Sequence, residues 1–108
     1  NEKAMAFLES SGFETISCAD VGRDLGCYGQ GALSPKEVFE LAVKANDPKV
    51  QAIVLSCTDM RSVEVIKTIE TELGKPVVTS NQAMMFSIYK KFKFLAKPNL
   101  PGCLFDRL

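Results

Sequence analysis

The stretch that decides the fold is Val50-Gln51-Ala52-Ile53-Val54-Leu55-Ser56, followed at once by Cys57-Thr58-Asp59. The run is nearly continuous in apolar and β-branched side chains, with no strict polar alternation. That pattern predicts a strand buried on both faces, as in a parallel sheet. Parallel strands need crossover connections, usually helical, and the flanking sequence supplies them. Upstream, Ser34-Pro35-Lys36-Glu37 is a strong helix start. Ser34 caps, Pro35 takes the first helical position, and Glu37 closes a capping box. Val38, Leu41, Ala42 and Ala45 then recur at helical spacing until Asn46-Asp47-Pro48 ends the helix. Downstream, Val63, Ile66, Ile69 and Leu73 mark a second amphipathic helix, stopped by Gly74 with Lys75-Pro76 beyond it. A short strand follows from Pro76 to Thr79. Ser80-Asn81-Gln82 then opens a last long helix carrying Met84, Met85, Ile88, Tyr89 and Phe92.

Further out the signals are weaker. Glu2 to Ser10 reads as a helix anchored by Met5, Phe7 and Leu8, and Ser11-Gly12 stops it. Phe13 to Cys18 alternates apolar and polar residues, which predicts a short strand with one wetter face. Ala19 to Leu33 holds four glycines and no periodicity, so it reads as a loop. Its glycines are not spaced as in a dinucleotide-binding turn. Asn99 to Gly102 is a turn, and Cys103 to Leu108 has no clear assignment. The order α-β-α-β-α-β-α implies an α/β domain, a parallel sheet with helices on both faces. A doubly wound unit normally opens on a strand, and this one opens on a helix. The expected architecture is therefore a three-layer sandwich lacking its first strand. The bare edge this leaves is a pairing surface, for a second copy or for more polypeptide.

Composition sets limits. The chain has 108 residues, 13 basic and 13 acidic side chains, and no formal net charge. That length suits one domain. Balanced charge gives no field to draw in nucleic acid or an anionic membrane. No apolar run approaches the roughly 18 residues of a spanning helix. No leader-like segment opens the sequence, so a cytoplasmic setting is expected. Lys90-Lys91-Phe92-Lys93-Phe94 reads as a helix end with solvated lysines and buried phenylalanines. There is no histidine, which excludes His-Asp triads, His-ligated zinc and histidine general bases. The four cysteines, Cys18, Cys27, Cys57 and Cys103, form no C-x-x-C pair. Zinc ribbons and thioredoxin-type chemistry are thereby disfavoured, and cytoplasmic thiols stay reduced.

Ligands of open α/β sheets bind beyond the carboxyl ends of the strands. Two polar clusters fall there: Ser56-Cys57-Thr58-Asp59 and Thr79-Ser80-Asn81-Gln82. Both precede predicted helix N-termini, which favour anions. A thiol so placed holds more thiolate than a free cysteine. It could serve as nucleophile or as acid and base. Cys57 is thus the candidate catalytic residue, against the alternative of a small buried side chain at a strand end. Cys18 also ends a predicted strand, but no polar cluster follows it, so it reads as structural filler. Asn81 either caps its helix or lines the cleft.

At Ala52 to Arg61 (A-I-V-L-S-C-T-D-M-R) and Leu73 to Ala83 (L-G-K-P-V-V-T-S-N-Q-A) the sequence resembles the aspartate/glutamate/hydantoin racemase superfamily. The likeness is to its maleate cis-trans isomerase and arylmalonate decarboxylase branch. The A-F-L-E-S-S-G-F-E-T stretch and the S-P-K-E-V-F-E-L-A helix resemble the same branch in the same order. The resemblance implies flavodoxin-like domains in pairs, with a substrate site in the cleft between them and no cofactor. It implies that this chain is the second domain. Cys57 matches that domain's catalytic cysteine, which moves a proton at the substrate's α-carbon or assists addition to a double bond. Thr58 follows it, where side-chain and backbone donors hold a substrate carboxylate. Asn81 lies in the matching S-N-Q-A piece, and Arg61 resembles the S-C-T-x-x-R pattern, with a packing role equally open.

Two features depart from the pattern. The loop Asp24 to Leu33 lacks the branch's usual Asn and I-G-R-like piece, and no first domain is present to supply the opposite cleft wall. The resemblance therefore implies small carboxylate substrates, a missing N-terminal domain or second chain as partner, and little activity in this chain alone; the bare sheet edge makes a homo-oligomer the expected state. The rival expectation is a non-enzymatic α/β module that binds a small molecule.

Overall fold

The computed structural model describes residues 2–95 and 99–108. Helix α1 spans Glu2–Ser10, α2 Pro35–Ala45, α3 Ile66–Leu73 and α4 Ser80–Phe92. Strand β1 spans Ile53–Leu55 and β2 Val77–Thr79, with short 3-10 helices at Gly26–Ala32 and Cys103–Arg107. The two strands are parallel and adjacent, Ile53 opposite Val77 and Leu55 opposite Thr79.

Helix α2 forms as its sequence dictates. The Ser34 hydroxyl accepts from the Glu37 N–H, the Glu37 carboxylate accepts from the Ser34 N–H, and Pro35 occupies the first turn. Arg23 pairs with the same carboxylate at 2.6 Å. The Ser34 backbone hydrogen bond, then Arg23, hold the Glu37 carboxyl below its ordinary pKa. A depressed acid stabilises the fold above its unfolded pKa, and that contribution is lost as pH falls through the folded value. Glu37→Gln is therefore expected to lower the melting temperature slightly at pH 7. The gap from wild type should close as pH drops below about 4, the ordinary carboxylate range. Thermal melts across that range check it.

Helix α3 ends at Gly74, whose φ of 64° is the left-handed conformation that glycine adopts without strain. Leu33, Val38, Ala42, Ile53, Leu55, Met60, Ile66, Ile69 and Val77 make one buried cluster. The core thus lies between one sheet face and the pair α2–α3. This is an α/β fold with a parallel sheet, as the alternation predicts, and of the flavodoxin-like type that the resemblance implies.

Several expectations need correction. Phe13 to Cys18 forms no strand, and the sheet has two strands among the described residues. A strand exists only where a neighbour takes its backbone hydrogen bonds, and no described segment does so here. Phe13 and Ile16 are exposed, as is Cys18, which is no buried filler. Strand β1 is buried on one face only: Ile53 and Leu55 are 4% and 5% exposed, but Val54 is 49% exposed. Helix α1 has no buried residue: Met5 and Leu8 are half-buried and Phe7 is exposed. Phe92 and Phe94 stack on each other with ring centres 5.8 Å apart, but both stay exposed.

The C-terminal segment docks through few contacts. The Gln82 amide donates to the Pro101 carbonyl at 2.8 Å, and the Cys103 N–H donates to the Glu70 carboxylate at 3.1 Å. Phe105 is buried behind them, edge-on to Tyr89. Desolvation, reinforced by Glu70, pushes the Cys103 thiol above its usual pKa, so this cysteine is a poor nucleophile at neutral pH.

Candidate functional site

Leu55 pairs with Thr79 across the sheet. The carboxyl ends of β1 and β2 are therefore level, and the segments that leave them run side by side. Ser56-Cys57-Thr58-Asp59 leaves β1, and Ser80-Asn81-Gln82 begins α4. A hydrogen bond joins the two: the Asn81 side-chain amide donates to the Thr58 carbonyl at 2.9 Å. The three candidate residues Cys57, Thr58 and Asn81 thus lie on one local unit.

Cys57 is half-buried and packs against the core, whereas Thr58 and Asp59 are exposed. The Cys57 N–H turns back to the Leu55 carbonyl at 3.3 Å. The expected helix end does not face this thiol. Helix α3 starts at Ile66, with Val65 as its cap and no side-chain capping bond. Met60 and Ser62 are buried on the way, so the chain first secures the core and only then coils. The helix thus begins at Ile66, later than the periodicity from Val63 predicts.

Asn81 is not the cap of α4. Thr79 fills that position: its hydroxyl accepts from the Gln82 N–H, and the Gln82 carbonyl oxygen accepts from the Thr79 N–H. Asn81 stands between the two members of this capping box, which leaves its amide free to reach Thr58. Arg61 faces its own neighbour Glu64 at 3.1 Å on the surface.

Sequence reasoning missed two features here. The glycine-rich 3-10 segment lies against the turn, so that a Cβ on Gly31 would sit 3.6 Å from the Asp59 carbonyl oxygen. Without periodicity, only the glycine density hinted at a close approach. The second is a cavity of about 210 Å³ beside Asn81, walled chiefly by Met60, Ile66, Met85, Tyr89 and Phe105. It is an apolar space under the C-terminal segment, and neither Cys57 nor Thr58 lines it. The Cys57 side chain is half-buried at the strand end, against the core. Among the described residues, no three Cys, Asp or Glu side chains converge as a metal site, and no helix is long and apolar enough to cross a membrane.

These features define a parallel α/β domain of flavodoxin-like type, with its candidate site where such sheets take ligands, beyond the strand carboxyl ends. Residues 1–105 match the arylmalonate decarboxylase family. The chain belongs to that family, within the maleate isomerase and arylmalonate decarboxylase branch of the aspartate/glutamate racemase superfamily. It is 32% identical over 96 residues to a maleate isomerase of Nocardia farcinica, covering 82% of this chain and 36% of that protein. It is also 32% identical over 88 residues to an arylmalonate decarboxylase of Bordetella bronchiseptica, covering 77% and 35%. Among solved structures, a crystal structure of arylmalonate decarboxylase superposes with a TM-score of 0.87 at 28% identity. It matches 100% of this chain and 48% of its own length. A glycine-to-cysteine mutant of arylmalonate decarboxylase in a sulfate-associated form gives 0.85, also at 28% identity. The chain thus spans about a third of the curated relatives and just under half of the solved chains.

Proposed function

We propose that this chain is the second domain of a cofactor-independent enzyme that transforms small carboxylates through Cys57. The chemistry is that of its relatives in kind: proton transfer at a carbon beside a carboxylate, as in decarboxylation, or thiol-assisted isomerisation of a double bond. The observation that carries this reading is the unit at the strand ends, where Cys57 and Thr58 are tied to Asn81 by the bond at 2.9 Å. Cys57 supplies the thiol that gives or takes the proton. Thr58 supplies a hydroxyl and a backbone N–H for the substrate carboxylate, donors that suit an anion better than a neutral group.

The site is open on one side, and a second domain or chain would close it. The half-exposed Val54 and the exposed Phe7 and Phe13 suit burial against more protein. Closure would exclude water and strengthen every polar contact to the substrate. This chain alone is accordingly expected to turn over little.

Iodoacetamide treatment of the full-length protein tests the reading. Turnover of malonates or maleate should fall in proportion to modification of Cys57, and modification of Cys18 or Cys27 should leave it unchanged. A protein with Cys57 fully blocked that keeps its rate would refute it.

A further inference from the structure

The bond from Asn81 to Thr58 does more than join two segments. In a planar trans peptide the carbonyl and the following N–H point in opposite directions. Fixing the Thr58 carbonyl toward Asn81 therefore fixes the Asp59 N–H away from it. Neither the Thr58 nor the Asp59 N–H donates to any acceptor among the described residues. A free backbone N–H held in a fixed direction at such a turn is a donor suited to an anion.

Two neighbouring features bracket this arrangement. The Thr79–Gln82 capping box brackets Asn81, and the Gly31 segment lies against the Asp59 carbonyl. With the Thr58 carbonyl occupied by an amide donor, its negative end is also kept from facing an incoming carboxylate.

We propose that Asn81 is a positioning residue: its amide holds the Thr58 carbonyl so that the Asp59 N–H of the same peptide stays presented to a carboxylate next to Cys57. This rests on the reading of Cys57 as the reacting thiol and goes one step further. Asn81 acts through the turn, not on the substrate.

Two alkylating probes of nearly equal shape separate the possibilities in the 108-residue chain itself. Iodoacetate carries a carboxylate, and iodoacetamide is its neutral counterpart. Both react with the same thiolate. Their rate ratio at Cys57, read peptide by peptide in a mass spectrometer, cancels changes in exposure and thiolate content. In the wild-type chain the iodoacetate-to-iodoacetamide ratio at Cys57 should exceed that at Cys18 and Cys27. Asn81→Ala should lower it about fivefold, the equivalent of one net hydrogen bond. Asn81→Asp, which cannot donate when ionised, should lower it at least as far, and Asn81→Gln, which keeps the amide, should restore part of it.

A ratio unchanged in Asn81→Ala, with the wild-type preference present, would overturn the positioning role and leave the carboxylate site standing. A wild-type ratio at Cys57 no higher than at Cys18 and Cys27 would overturn both. A merely structural role for Asn81 would move the two rates together and leave the ratio fixed, which also counts against the proposal.

Discussion

Cys57→Ala in the full-length protein is expected to reduce turnover roughly 10²–10⁴-fold, the usual weight of a positioned proton-transfer group. Under the proposed roles the loss should fall on kcat, because Thr58 and its backbone would still hold the carboxylate and substrate binding would change little. Cys57→Ser keeps shape and a hydroxyl but a far weaker acid, and should recover little of the rate. Stability should hardly change. The Cys57 side chain is half-buried at the edge of the core, so losing its sulfur removes little packing. A thermal melt within a few degrees of wild type, beside a collapsed rate, separates chemistry from folding.

Gly102→Ala carries the largest expected cost in stability. Gly102 has a φ of 85°, a left-handed value that other residues rarely adopt. A Cβ there would lie 2.5 Å from the Gln82 amide nitrogen, 2.8 Å from the Ile66 methyl and 3.3 Å from the Glu70 carboxylate. None of these groups can yield cheaply. The Gln82 amide is pinned by Thr79 at one end and Pro101 at the other. Ile66 is core, 1% exposed, and Glu70 holds the Cys103 and Val77 N–H groups. Backbone strain costs about 1–3 kcal/mol, and forced repacking adds about 1–3 kcal/mol. Against a domain stability of about 5–15 kcal/mol, a drop in melting temperature on the order of 10 °C or more is expected. An alternative relief, release of the C-terminal segment, would expose Phe105 and speed hydrogen exchange at Cys103. An unchanged melt with an unchanged Cys103 exchange rate would contradict this view of the docking.

What the sequence made legible follows from local rules that tertiary context did not oppose. Ser34, Pro35 and Glu37 placed the start of α2, because a capping box is written within four residues. Gly74 placed the end of α3 for the same kind of reason. The apolar run around Ile53–Leu55 placed β1, and the candidate site followed from it as the position beyond its carboxyl end. The failures arose where structure depends on distant partners. Phe13 to Cys18 has the alternation of a strand, but alternation cannot show whether a neighbouring strand exists. Val54 is apolar but half-exposed for a similar reason, since no described element covers it fully. The late start of α3 came from Met60 and Ser62, whose burial no periodic pattern announces. The division of labour at α4, with Thr79 as cap and Asn81 turned to Thr58, required the register between strands that only the fold sets.

Solvent-proton incorporation tests the central claim most directly. The full-length protein is incubated with a malonate in D2O, and the product is read by NMR at the carbon beside its carboxylate. Where the protein decarboxylates the malonate, the account predicts one deuteron delivered there by the wild-type protein, and loss of that enzymatic incorporation in Cys57→Ala. Deuterium incorporation at the wild-type rate by Cys57→Ala would contradict it.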